Sequence, residues 1–142
     1  MRRVRLLLVE DNVIAGEAVR LALTEYGFDV RVVHAGRDAI DEIRRHAAEA
    51  VVLDLTLPDL DGVAVAEMVR RQWPELPIIV TTGHAKPKRV DPLLVNPQTA
   101  FLQKPYEIGD LIASIQSRMR QHQGGIGRET THRWETGEGR QS

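Results

Sequence analysis

The sequence predicts a single α/β domain built on a parallel sheet with helices packed on both faces. Three observations carry this expectation. Short apolar runs alternate with longer segments whose apolar residues recur at helical spacing. The short runs lack polar alternation, as strands buried on both faces do. The chain has 142 residues, enough for one compact domain and little more.

Val4–Val9 is the first apolar run and ends in Glu10 and Asp11. Asn12 can cap the helix that follows, in which Ile14, Ala18, Leu21 and Ala22 share a stripe. Gly27 stands where a helix C-cap belongs. Phe28–Val33 is the second strand, and Ala39, Ile40, Ile43 and Ala47 mark a second helix. Ala50–Asp54 is a third strand that again ends in an acid. Leu57-Pro58-Asp59-Leu60-Asp61-Gly62 is loop chemistry. A third helix spans Val63 to Trp73 and is stopped by Pro74. Pro77–Thr81 and Ala100–Leu102 are the last two strands. Ile108, Leu111, Ile112, Ile115 and Met119 form the clearest helical face, running to about His122. Five strands in this length suggest a flavodoxin-like, doubly wound sheet of order 2-1-3-4-5. Between the fourth and fifth strands Pro87, Pro92 and Pro97 forbid a long helix. The fourth helix is therefore expected to be shortened or replaced by a loop. Residues 1–122 should form the domain. Residues 123–142, with five glycines, should form a flexible tail.

Composition excludes several functions. There is no cysteine, so disulfides, thiolate metal sites and cysteine nucleophiles are impossible. The formal net charge is −1, far from the basic excess of a dedicated nucleic-acid binder. No apolar run approaches the roughly 18–20 residues that span a bilayer. The apolar run at the start is too short for a signal-peptide core, and a cytoplasmic location is the expectation. The five histidines show no ligand spacing. Arg2, Arg3 and Arg5 read as a solvated strand start.

Ligands of open α/β sheets bind beyond the carboxyl ends of the strands. Those ends deliver Glu10, Asp11, Asp54, Thr82 and Lys104. Three carboxylates crowded together raise at least one pKa unless a cation joins them. A hard divalent ion such as Mg²⁺, with oxygen ligands, resolves the conflict. Lys104 offers a positive charge to phosphoryl oxygens, and Thr82 offers a neutral donor. Phosphoryl transfer needs positioning and charge neutralisation, which this set supplies. A carboxylate can be the nucleophile, and the central Asp54 is the best candidate. Asp59 and Asp61 read as loop residues rather than ligands. Gly62 is expected to serve the turn, and Pro58 to rigidify it.

Four motifs now stand in order, each at a strand end. They are Leu8-Val9-Glu10-Asp11-Asn12, Leu53-Asp54-Leu55-Thr56-Leu57-Pro58-Asp59-Leu60-Asp61-Gly62, Thr81-Thr82-Gly83 and Phe101-Leu102-Gln103-Lys104-Pro105-Tyr106. Together they resemble the receiver domains of two-component response regulators, over residues 4 to about 121. The resemblance implies that Asp54 is the phosphoacceptor. It implies Asp11 as a direct Mg²⁺ ligand, Glu10 as a ligand through water, and Thr56 as a ligand through its main-chain carbonyl. Thr82 would contact the phosphoryl group, Lys104 would pair with it, and Phe101 would reorient as Thr82 moves. Thr56 and His84 occupy positions that tune rates in the family. The implied partners are a histidine kinase or histidine phosphotransfer protein and a downstream protein target. Neither direct nucleic-acid binding nor membrane insertion is expected. The domain would catalyse its own phosphotransfer and slow dephosphorylation without being a conventional enzyme. The shortened fourth helix and the Thr-Gly-His turn look more like receivers of hybrid kinases or stand-alone relay receivers.

Other classes remain at this point. A small Mg²⁺-dependent phosphohydrolase with an aspartyl nucleophile typically carries a second acid two residues after it, where this chain has Thr56. A phosphorylation-independent adaptor needs none of the acidic rim. An excised DNA-binding regulator would need a helix-turn-helix pattern, which the tail does not offer.

Overall fold

The computed structural model describes residues 2–130, with side chains as far as Arg120. The elements alternate throughout: β1 (Arg5–Val9), α1 (Val13–Tyr26), β2 (Asp29–Val33), α2 (Ala39–His46), β3 (Ala50–Asp54), α3 (Gly62–Gln72), β4 (Ile78–Thr82), α4 (Asp91–Leu94), β5 (Thr99–Gln103) and α5 (Ile108–Thr130). All neighbouring strands are parallel and run in the order β2-β1-β3-β4-β5, as the sequence predicts.

Strand alternation divides the core into two layers. Leu7, Val9, Val51, Leu53, Ile78 and Val80 face one way and pack with Ile43 of α2 and Val65, Ala66 and Val69 of α3. Leu6, Leu8, Val52 and Ile79 face the other way, against Leu23 of α1 and Leu111 and Ile115 of α5. Leu111 and Ile115 are wholly buried, each stabilising the fold by about 1.5–3 kcal/mol. The central strands β3 and β4 are buried at every residue, which explains the apolar runs that precede Asp54 and Thr81.

The helix ends follow from local chemistry. Asn12 Oδ1 accepts the Ala15 N–H at 2.8 Å and starts α1. Gly27, at φ 123°, ends it, its N–H bonding to the carbonyls of Leu23 and Thr24. Asp61 caps α3 by accepting the Val63 N–H at 3.0 Å. Ala47 does not belong to the stripe of α2: it terminates that helix in the left-handed region at φ 53°.

Two further elements need comment. The stretch with three prolines yields one 3-10 turn at Lys88–Val90 and the single turn of α4, matching the expected shortening. Val90 is nevertheless completely buried and anchors the stretch to the core. The last helix, by contrast, does not stop near His122 but continues to Thr130 through Gly124, Gly125 and Gly127. Glycine weakens a helix by about 1 kcal/mol without forbidding it, whereas proline breaks it. The chain has no proline after Pro105. The expected tail beyond residue 130 lies outside the described residues.

Arg89 ties the proline stretch to α3 through an ion pair with Asp61, with Glu67 Oε1 at 3.9 Å. The Arg89 guanidinium holds the Asp61 carboxyl below the usual carboxylate range. Arg89→Ala should move that carboxyl back toward its ordinary value, as a carboxyl-carbon NMR titration would read. A carboxylate with a depressed folded pKa adds stability above its unfolded pKa, and that stability drains away as pH falls through the folded value. Wild type and variant should therefore differ in stability above about pH 4 and converge in acid. Identical curves at all pH values would count against the pair.

Candidate functional site

The carboxyl ends of the parallel strands form one rim. Continuing the strand alternation places Glu10 in line with Leu8 and Asp54 in line with Val52, so both carboxylates leave the sheet on one side. Lys104 follows β5 on the same side, in line with Leu102. Its backbone N–H bonds to the Thr82 carbonyl at 2.9 Å, extending the β4–β5 ladder by one step. The Lys104–Pro105 peptide is cis.

The side chains converge closely. Glu10, Asp11 and Asp54 each offer an oxygen, and these oxygens lie within 4.8 Å of one another. Glu10 and Asp54 are buried, while Asp11 is exposed. Lys104 Nζ bridges the buried pair, 2.7 Å from Glu10 Oε1 and 2.7 Å from Asp54 Oδ2. The Thr56 N–H donates to Asp54 Oδ1 at 2.9 Å, and the Asn12 N–H donates to Glu10 Oε2 at 3.2 Å. Gly16 of α1 leaves room beside this network: a Cβ there would lie 3.4 Å from Glu10 Cγ.

Burial pushes the Glu10 carboxyl above its usual range. Lys104 and the Asn12 N–H pull against that push, the Asp54 charge adds to it, and the net shift is upward. A raised pKa among the acids matches the sequence expectation, but its leading cause is desolvation rather than repulsion. Burial works against the Lys104 ammonium too, yet the hydrogen bonds to Asp54 and Glu10 outweigh it and hold its pKa above the ordinary value.

A cluster of carboxylate oxygens without nitrogen or sulfur donors suits a hard divalent cation that retains some water. The exposure of Asp11 gives such an ion an entry from solvent. The residues present therefore fit Mg²⁺ on the chemistry of the donor set.

Thr82 and Phe101 sit apart from this network. The ladder pairs Asp54 with Thr81, and Thr82 with Gln103. Thr82 is buried, and its Oγ1 accepts the His84 N–H at 3.1 Å. Phe101 pairs in register with Val80 and packs on the core layer that contains Val90. His84 is exposed on the turn after β4. Gln103 Nε2 ties that turn to β5, donating to the carbonyls of Thr82 and His84 at 2.9 Å each.

Two residues contribute more than their place in the sequence motifs implies. Tyr106 lines a groove of about 460 Å³ beside Lys104, with Ala15, Ala18 and Val19 of α1 opposite. Burial pushes the Tyr106 hydroxyl pKa up. Its place two residues after Lys104 was the only available signal. Gly62 is the other. A Cβ there would lie 2.2 Å from the Leu55 carbonyl oxygen, so α3 starts against the backbone that follows Asp54. A cavity of about 520 Å³ lined by Trp73, Pro74, Leu76, Pro77 and Met119 lies at the amino ends of β3 and β4. It is remote from the acids.

Comparison with known proteins agrees with this geometry. The family model described as "Response regulator receiver domain" matches residues 6–116. Response regulator MprA of Mycolicibacterium vanbaalenii is 34% identical over 118 residues, covering 82% of this chain and 51% of that protein. Luminescence regulatory protein LuxO of Vibrio campbellii is 32% identical over 113 residues, covering 80% of this chain and 25% of that protein. The chain thus spans between a quarter and a half of these curated relatives. Among solved structures, the signal receiver domain of a putative Luxo repressor protein from Vibrio parahaemolyticus superposes with a TM-score of 0.78 at 27% identity. It covers 92% of this chain and all of that one. A CheY-like receiver domain protein from Methanospirillum hungatei gives 0.79 at 21% identity, covering 87% of this chain and 99% of that one, a likeness of fold.

Proposed function

The chain belongs to the response regulator receiver family of two-component systems, and from that premise we propose that Asp54 accepts a phosphoryl group from a phosphohistidine in a partner protein. The single observation that carries this reading is the bridge from Lys104 to Glu10 and Asp54, set beside the three-carboxylate cluster. An ammonium bonded to two buried carboxylates, with the Asp11 carboxylate close by, supports a charge-neutralised site for phosphoryl transfer.

Asp11, Asp54 and the Thr56 main-chain carbonyl would ligate Mg²⁺ directly, and Glu10 through a water. The ion supplies positive charge against the incoming phosphoryl oxygens. A carboxylate oxygen of Asp54 forms the new O–P bond as the N–P bond to the donor imidazole breaks, and the electron pair leaves with the imidazole nitrogen. Lys104 Nζ, already 2.7 Å from Asp54, follows the negative charge onto the phosphoryl group. Thr82 turns its O–H toward the same oxygens, a donor left free by the bond that its Oγ1 accepts from the His84 N–H. That movement opens or closes space at Phe101 and biases the turn after β4 between two states. Thr56 and His84 then set the access of water to the acyl phosphate and so its lifetime. The output is contact with a downstream protein.

The test is incubation with Mg²⁺ and a small phosphodonor such as phosphoramidate, followed by intact mass. Wild type should gain one phosphoryl group, and Asp54→Asn should gain none. Equal labelling of the two proteins would overturn the assignment. Rapid multiple-turnover release of phosphate from monoesters would replace it with a hydrolase.

Among the described residues no helix is long and apolar enough to cross a membrane. A cytoplasmic site of action, facing a kinase or phosphotransfer protein, is part of the same proposal.

A further inference from the structure

Asp59 and Asp61 lie in the loop between β3 and α3, outside the cluster of oxygens described above. Asp61 is occupied as the cap of α3 and the partner of Arg89. Asp59 faces a different neighbour. Its Oδ1 accepts the Gly36 N–H at 2.9 Å, and its Oδ2 accepts the Arg37 N–H at 3.0 Å. Both donors belong to the 3-10 turn at Gly36–Asp38 that leads into α2. N–H groups at the start of a helical turn have no partner within the turn. The carboxylate supplies two acceptors at once. These donors, the Arg37 N–H foremost, hold the Asp59 carboxyl below its usual range.

The same two segments also pack tightly. A Cβ on Gly36 would lie 3.0 Å from Val65 Cγ2 and 3.1 Å from Leu57 Cδ1. The turn is therefore pressed against the loop at Leu57 and bonded to it at Asp59. Thr56 stands directly before these anchors, and its own N–H is held by Asp54 Oδ1. The Thr56 backbone is thus gripped from both sides.

We propose that Asp59 is a positioning residue for the cation site: by clamping the β3–α3 loop to the turn before α2, it sets the Thr56 backbone against Asp54 and so tunes affinity for Mg²⁺. The inference rests on the reading of the site given under Proposed function. Asp59 lies outside the cluster of carboxylate oxygens and acts through the two intervening residues, Leu57 and Pro58. Groups that orient metal ligands from outside are commonly worth about tenfold to a hundredfold in metal affinity, and the lower end applies to so indirect a contact.

The experiment is a calorimetric Mg²⁺ titration of the full chain as wild type, Asp59→Ala and Asp59→Asn. Amide NMR spectra of Gly36, Arg37 and Thr56 accompany it. Asp59→Ala should weaken Mg²⁺ binding about tenfold. Asp59→Asn, which keeps one carbonyl acceptor, should weaken it less. The Thr56 amide should shift in both variants without Mg²⁺. A purely structural role would lower the melting temperature and leave the dissociation constant unchanged, and that result overturns the inference. If Asp59→Ala does not fold, Asp59→Asn decides by the same criterion. Equal binding by wild type and a folded variant overturns the inference alone. Absence of Mg²⁺ binding by the wild type overturns the reading of the site and the inference with it.

Discussion

Gly62→Ala is expected to destabilise the fold by about 3 kcal/mol or more, at the severe end of overpacking substitutions. The added Cβ would meet the Leu55 carbonyl oxygen at 2.2 Å, Leu55 Cα at 2.4 Å and the Leu55 carbonyl carbon at 2.6 Å. All three atoms are backbone, so no rotamer change relieves the clash. Leu55 is held in turn, because its N–H bonds to the Thr81 carbonyl at 2.8 Å. Relief must come from moving α3 away from the end of β3. That shift would drag Asp61 off its cap and disturb Thr56, so cation binding should suffer beyond the loss of stability. Thermal or urea unfolding reads the first effect, and a Mg²⁺ titration of the remaining folded protein reads the second. A variant as stable as wild type would mean that the start of α3 can back away freely.

Lys104→Met should have a comparable cost in the absence of Mg²⁺. It removes the ammonium that bonds to two carboxylates that are almost wholly buried. Breaking a buried pair by deleting one partner costs about 3–5 kcal/mol. The lysine side chain keeps 26% of its exposure, so the lower end, about 3 kcal/mol, is the better expectation. Two features distinguish this loss from ordinary unfolding. First, Mg²⁺ should restore much of the stability, since a divalent cation offers the acids a new counter-charge. Second, Mg²⁺ should bind more tightly to the variant, because Nζ no longer competes for Glu10 Oε1 and Asp54 Oδ2. Melting curves with and without Mg²⁺, together with a titration, measure both. Weaker Mg²⁺ binding by a folded Lys104→Met protein would show that the lysine assembles the acids rather than competing for them.

These two residues also mark what the sequence made legible. Lys104 was visible because a parallel sheet sends its strand ends to one rim, and Glu10, Asp11 and Asp54 end two of the other runs. The parallel sheet followed from the alternation of buried runs and amphipathic helices, whereas its strand order was suggested by five strands in this length and not fixed by periodicity. The single turn of α4 followed from Pro87, Pro92 and Pro97. Gly62 was visible only as a turn residue, because its true constraint is a backbone seven positions away. The clamp at Asp59 was not visible at all. Its partners, Gly36 and Arg37, are 23 and 22 residues distant, and nothing local distinguishes a carboxylate that reaches another loop from one that faces water. The length of α5 was misjudged for the opposite reason. Local glycine content suggested a stop, but no residue there removes a hydrogen bond.

The ammonium bridge has a consequence for the order of events on the ribosome. Lys104 lies 94 residues after Glu10 and 50 after Asp54. Synthesis delivers both acids long before their counter-charge. Until the fifth strand leaves the exit tunnel, the two carboxylates either stay apart or settle side by side by taking up a proton or capturing a metal ion. The bridged acidic centre thus becomes possible only after β5 is made, with α5 still to follow. A nascent receiver acquires its chemistry only when its sheet is complete.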